Sequence, residues 1–268
     1  MRIKKALLPL VVISILLFTS CIPNKDLVYL QNSKKNEKSI EVSESVSKPY
    51  RVQTNDILNI SIKALDQRLV EMFNPSITTS QGASQLSQQS LYFNGFSVDD
   101  HGNIRVPVLG ELNVLGYTVE EIRDVLEKRL LDEYFKSESR MFVTVKLAGL
   151  KYTVNGEIGK PGTNVLYQDK VNIMEAIANS GDITMTGDRK NVQVIRKLPH
   201  GFETHTIDLT DVSAIESPYF YIQPNDYIYI KPLKQKSWGT GTTGMQTIGT
   251  IITALSLITT TILLTRNL

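Results

Sequence analysis

The sequence predicts an α+β fold: small units of short strands, each packed with a single helix, followed by a C-terminal transmembrane helix. Three observations carry this. Short runs of alternating apolar residues recur between Gly, Pro and Asn/Asp turns, as in Ile104, Val106 and Val108 and again over Met141–Leu147. Two helix starts stand among them, each with a capping-box pattern: Thr118 with Glu121, and Asn172 with Glu175. The stretch Met245–Thr265 then runs 21 residues without a charge. As a helix it would be about 31 Å long, matching a hydrocarbon core of about 30 Å.

The N-terminus comes first in order. Arg2, Lys4 and Lys5 precede an almost wholly apolar run from Leu7 to Phe18, closed by Thr19-Ser20-Cys21. A basic start and roughly 12 apolar residues, too few to span a bilayer, read as an export signal over 1–20. The apolar run ending in small residues before a cysteine resembles a lipobox, which makes Cys21 the lipid-attachment residue. As the chain's one cysteine it has no intramolecular disulfide partner. Acyl chains on Cys21 would be a firm anchor, at about 0.8 kcal/mol per buried methylene. Ile22 is not an acidic inner-membrane retention signal, which favours the outer membrane. The whole chain has 29 basic and 27 acidic residues; without 1–20 the counts are 26 and 27. No basic balance is left to attract nucleic acid.

Residues 21–49 are polar and rich in Ser and Lys, and read as a lipidated tether. Val52, Ile57, Ile60 and Ile62 predict two short strands around a Thr54-Asn55-Asp56 turn. Residues 74–90 carry no charge and almost no large apolar side chain, and read as a flexible loop. Asp99 to Asn103, with Gly102, is a turn before the next strand, in which Pro107 predicts an edge or bulge. Ile122, Val125, Leu126 and Leu130 give the helix after Thr118 one apolar face, running to about Phe135. Met141–Leu147 is another strand.

A further unit starts at Tyr152–Ile158, a strand that includes Gly156. Gly159, Lys160, Pro161 and Gly162 form a turn. A short helix follows from Val171 to Ser180, ended by Gly181. Asn191–Lys197 and Tyr219–Ile230 supply the last strands. A weak repeat relates 50–60 to 220–230 through Gln53/Gln223, Asn55/Asn225, Asp56/Asp226 and Ile60/Ile230. It fits two stacked units, or one unit completed by both ends. In the C-terminal stretch Ile251, Leu255, Ile258 and Ile262 are membrane-helix residues, with Trp238 and Arg266 as interface anchors. Its many threonines suit a helix that associates with others.

The chemistry of enzymes finds little support. Gly159-Lys160 lacks the spacing of a phosphate loop, and Pro161 follows the lysine. His101, His200 and His205 have no metal-ligand order and no cysteine to join them, so no metal site is expected. Asp99 and Asp100 are better turn caps than an acid/base pair. No nucleophile elbow is present. No catalytic residue and no cofactor are expected. Tyr219, Tyr221, Tyr227 and Tyr229 cluster, either as cross-strand contacts or as a sugar-contacting surface.

Two stretches resemble known modules. Asp99-x-x-Gly102-x-Ile104-x-x-Pro107-Val108-x-Gly110, followed by Gly116-Tyr-Thr-Val-Glu-Glu, looks like a polysaccharide export domain. Val154-Asn-Gly-Glu-Ile-Gly-Lys-Pro-Gly-Thr163, Asn172 to Gly181 and Val192 to Arg196 look like a β-grasp module of the soluble-ligand-binding (SLBB) type. With the lipobox and C-terminal stretch, the order is similar to that of the Wza-like outer-membrane polysaccharide exporters. The resemblance implies an export domain over 50–148, a β-grasp module over 149–236 and a transmembrane helix over 245–265. It implies a lipid-anchored, mostly periplasmic subunit of a homo-oligomeric ring that passes capsular or extracellular polysaccharide through its lumen. An inner-membrane polysaccharide co-polymerase or tyrosine kinase is the implied partner. The best-described exporters carry two β-grasp modules and this chain carries one, so a shorter periplasmic stack is implied. The other reading is an envelope lipoprotein that binds glycan or peptidoglycan through the β-grasp module without transport.

Overall fold

The computed structural model describes residues 22–32, 49–64, 68, 70–74, 92–135, 141–198, 201–237 and nine positions between 249 and 260. Those up to 237 form two α+β units, each with its own apolar core.

In the first unit, β1 (Ile57–Ala64) is the middle strand of an antiparallel sheet between β2 (Phe96–Ser97) and β5 (Met141–Leu147). Leu58, Ile60 and Ile62 alternate into the core while Asn59 and Lys63 point outward. A hairpin of β3 (Asn103–Val106) and β4 (Gly110–Asn113) follows. Helix α1 (Val119–Glu133) begins at the predicted capping box, with both bonds made between Thr118 and Glu121. Its Ile122, Leu126 and Leu130 are buried, and the helix packs against β5. Each such side chain contributes about 1.5–3 kcal/mol.

The second unit is a five-stranded sheet in the order β10-β9-β12-β6-β7, made by β6 (Leu150–Gly156), β7 (Gly162–Leu166), β9 (Gly187–Leu198), β10 (Gly201–Ile207) and β12 (Tyr227–Pro232). β12 and β6 are parallel and the other pairs antiparallel. Helix α2 (Ile173–Asn179) lies over the core face, entered through the Asn172–Glu175 capping box. Fully buried Tyr152 reaches it, its hydroxyl donating to the Ala176 carbonyl at 3.1 Å. A two-stranded pair, β8 (Val171–Asn172) and β11 (Tyr221–Ile222), closes that end.

Several expectations are corrected. The segment before Thr54 forms no strand: Val52 bonds the backbone of Gly116 and Tyr117 singly. Val108 does not continue β3. It sits in the turn at φ 68, half exposed, with the Leu109 N–H on the Pro107 carbonyl, and Leu109 is buried in its place. The tether reading does not hold for 22–32. Leu30 and Gln31 donate to the Leu209 and Thr210 carbonyls at 3.0 and 2.7 Å, and Gln31 forms a parallel bridge to Asp211. Tyr29 and Leu30 pack on the second core. Residues 33–48 and 75–90, the latter holding most of the predicted loop, lie outside the described residues. Among the described residues no helix is long and apolar enough to cross a membrane. The nine positions described between 249 and 260, Ile251 and Leu255 included, are helical and, where accessibility is described, exposed; Ile258 and Ile262 lie outside.

Candidate functional site

The two repeated turns meet. In each, an Asn holds the left-handed conformation, Asn55 at φ 71 and Asn225 at φ 66, a backbone that Asn tolerates better than most side chains. In each, the following Asp caps the turn: Asp56 Oδ2 accepts the Gln53 N–H and Asp226 Oδ2 the Gln223 N–H, both at 2.8 Å. Asn225 Nδ2 then donates to Asp56 Oδ1 at 3.1 Å, joining the units. Of the two readings of the repeat, the structure has the stacked one: β1 and β12 belong to different sheets.

Both carboxylates are buried. Asp226 takes a bidentate pair from Arg196, Nε to Oδ1 at 2.9 Å and Nη2 to Oδ2 at 2.7 Å. Asp56 accepts the Tyr50 hydroxyl at 2.6 Å. Burial pushes the Asp56 carboxyl above the ordinary carboxylate range, opposed by hydrogen bonds from Gln53, Tyr50 and Asn225. Burial also raises Asp226, against the pull of Arg196. The Tyr50 hydroxyl is raised by burial and by Asp56. A sealed, fully bonded carboxylate pair is joinery between units rather than acid/base machinery.

The far end of the second unit gathers the segments that precede and follow the two units, 26–31 and 233–236. Tyr29 donates its hydroxyl to Asp182 Oδ1 at 2.5 Å, and the Arg189 guanidinium lies 5.2 Å over its ring. Burial and the Asp182 bond push this hydroxyl up to about 12. Asp26 pairs with Lys190 at 2.6 Å. On the other side, the Leu233 N–H donates to the Thr186 carbonyl at 2.8 Å. Lys236 in α3 (Lys234–Ser237) pairs with Glu157 at 2.5 Å. Glu157 also accepts Thr184 at 3.0 Å and Thr186 at 2.6 Å. Burial alone would raise Glu157, but Lys236 and the two threonines outweigh it and hold the carboxyl low.

The tyrosine cluster divides. Tyr227 and Tyr229 lie on the sheet face opposite the core. There Thr206, Gln193, Tyr229 and Asn155 form one register row, and Thr204, Ile195, Tyr227, Thr153 and Thr163 the next. These side chains are uncharged and partly or fully exposed. Asn155 Nδ2 donates to the Tyr227 hydroxyl at 3.0 Å. Tyr219 instead stacks on His205 at 3.6 Å beneath Arg196, with Glu203 on the imidazole at 2.7 Å. Sequence order alone could not separate them, because β12 turns its odd positions outward while Tyr219 and Tyr221 precede the buried turn.

Each predicted turn residue is in a turn or at a strand end. Gly102, Gly156, Gly162 and Gly181 have positive φ; Gly159 lies against the Gly181 carbonyl, and Pro161 is exposed. Asp99 caps its turn through the N–H groups of His101 and Asn103, at 2.9 and 2.8 Å. Cys21, Trp238 and Arg266 lie outside the described residues, as does His200. Among the described residues no group of acidic, His or Cys side chains is placed to hold a metal ion. The residues that sequence reading missed are Tyr29, Asp182, Glu157 and Lys236; the pairings Tyr29–Asp182 and Glu157–Lys236 join positions 153 and 79 apart.

Residues 44–148 match the family described as Polysaccharide biosynthesis/export protein, and residues 150–230 match the SLBB domain. The chain is 25% identical over 174 residues to the EPS I polysaccharide export outer membrane protein EpsA of Ralstonia solanacearum, covering 64% of this chain and 46% of that protein. It is 26% identical over 181 residues to the Vi polysaccharide export protein VexA/TviF of Salmonella typhi, covering 66% of this chain and 49% of that protein. The chain thus spans less than half the length of either relative. The first family description and both relatives concern export proteins, not enzymes. The two matches meet at the boundary between the two cores: the chain carries a polysaccharide biosynthesis/export domain followed by an SLBB domain, and with these relatives that order supports a Wza-like export protein.

Proposed function

We propose that this protein is a lipid-anchored subunit of an oligomeric outer-membrane channel that exports capsular or extracellular polysaccharide. The observation that carries the reading is the convergence of the segments 26–31 and 233–236, which flank the two units, on one end of the SLBB unit. The docked segment is held from Asp26, five residues after Cys21, and Ser237 precedes the charge-free stretch 245–265 by eight residues. Acyl chains on Cys21 and a membrane helix over 245–265 would then enter one bilayer side by side. Where that stretch is described, Thr259 and Thr260 bond the carbonyls of Leu255 and Ser256 at 2.9 and 2.7 Å. Such back-bonding satisfies hydroxyls inside an apolar medium. One helix per subunit encloses no lumen, so a conduit requires a homo-oligomeric ring. The uncharged Thr, Tyr, Asn and Gln face of the sheet has the hydroxyl, amide and aromatic groups that suit a passing glycan. An inner-membrane co-polymerase or tyrosine kinase would supply the chain from the other side.

Deletion of 244–268 separates a conduit from a glycan-binding lipoprotein. The truncated protein should stay in the membrane fraction through its lipid while polysaccharide no longer reaches the cell surface, read by antibody or lectin staining. Normal surface polysaccharide in that strain would rule out the conduit.

A further inference from the structure

The turn Thr184–Gly187 is where both docked chain ends meet. Its Gly187 N–H closes on the Thr184 carbonyl at 3.0 Å. Its polar groups are tied inward. Arg189, which covers Tyr29, donates to the Thr184 and Ile183 carbonyls at 3.2 and 2.7 Å. The Thr186 carbonyl accepts the Leu233 N–H, and the two threonine hydroxyls donate to Glu157, which also accepts from Lys236. Met185, at the apex, is 72% exposed. Turn apices ordinarily carry polar residues, and this apolar one stands between the two chain ends that lead to lipid-seeking sequence.

The reach of those ends is short. Asp26 is fixed to Lys190 at 2.6 Å. Cys21 is five residues away, so at most about 17 Å. Met245 is eight residues beyond Ser237, at most about 28 Å. A bilayer that takes both must lie against this end of the unit. Lys25 and Lys160 have no ion-pair partner among the described residues, and Lys160 is tied here through its N–H on the Ser180 carbonyl at 2.8 Å. Their ammonium groups suit phospholipid phosphates.

We propose that the Thr184–Gly187 turn is a membrane-contact apex, with Met185 entering the headgroup region of the phospholipid leaflet that holds the Cys21 acyl chains. This rests on the lipid-anchored reading above. A side chain in that region adds an apolar contact beside a covalent anchor, and so fixes how the SLBB unit stands on the bilayer rather than whether it is attached.

The test uses the full chain, acylated in its host and reconstituted in phosphatidylethanolamine/phosphatidylglycerol vesicles. Cys21 is the chain's one cysteine, and acylation blocks its thiol. Met185→Cys and Phe202→Cys therefore each offer one free thiol to an environment-sensitive fluorophore. Phe202 is 77% exposed and follows the opposite end of β9, about 36 Å along the strand. The probe at 185 should lose about half its emission to a quencher carried on the lipids ~5–10 Å below the headgroups, and the probe at 202 none. Equal responses at the two sites overturn the proposal, as does an unquenched probe at 185. A blue shift at 185 without quenching assigns a protein neighbour to the turn and overturns it equally. The wild-type chain, labelled in parallel, keeps the two readings apart. Stoichiometric labelling of Cys21 overturns the lipid anchor and the proposal with it, whereas a blocked Cys21 with an unquenched probe at 185 overturns the proposal alone.

Discussion

Gly156 and Gly162 look alike in sequence, yet they meet different surroundings. A Cβ at Gly156, at φ 94, would lie 2.0 Å from the Ile230 carbonyl oxygen; at Gly162, at φ 145, nothing lies within 4 Å. Gly162→Ala therefore strains only its own backbone, at about 1–3 kcal/mol. Gly156→Ala must also part β6 from β12, and should cost more than about 4 kcal/mol. Denaturant midpoints of a soluble 22–237 fragment test this; equal midpoints would remove the special role of Gly156. Arg196 is the second residue-scale case. Its side chain is 9% exposed and that of Asp226 0%. Arg196→Met strands a buried carboxylate and should destabilise the fragment by about 3–5 kcal/mol. Arg196→Met with Asp226→Leu should recover most of that loss, because no charge is then left unpaired. The capping boxes were legible in the sequence because their partners lie three residues apart. Arg196 and Asp226 were not, since their partnership exists only once β9 and β12 have paired.

Among the elements, strands with a clean alternation were readable: β5 has the predicted bounds. β10 was not, because GFETHTI offers the core only Ile207, with Glu203 and His205 on the same side. The segment 22–32 was not readable either, since it contributes three backbone bonds, an ion pair and a tyrosine rather than a periodic face. The α3 attachment carries a pH prediction. Glu157 is held low by Lys236, Thr186 and Thr184 against burial. A depressed carboxylate stabilises above its unfolded pKa, about 4.3, and loses that contribution as pH falls through the lower folded value. Protection of the α3 amides against hydrogen exchange should therefore be steady above about pH 5 and fall below about pH 4. Glu157→Gln should flatten that dependence. A wild-type profile without the acid loss would show that Lys236 draws nothing from Glu157.

For the whole molecule, the order of the two units was legible from turn motifs that any one stretch carries weakly. Their contact was not, although the repeat of Gln53-x-Asn55-Asp56 and Gln223-x-Asn225-Asp226 named the residues that make it. At this scale Cys21→Ser should take up no fatty-acid label and should mislocalise the protein; labelling equal to wild type would place the anchor elsewhere. The N-terminal docking also dictates an order of events in time. Gln31 pairs with Asp211, 180 positions later in the chain. Closing a loop of that length gains nothing until the intervening strands exist. Residues 22–32 therefore stay loose while the rest of the SLBB unit folds. Docking comes last, as a latch that fastens only on a finished subunit.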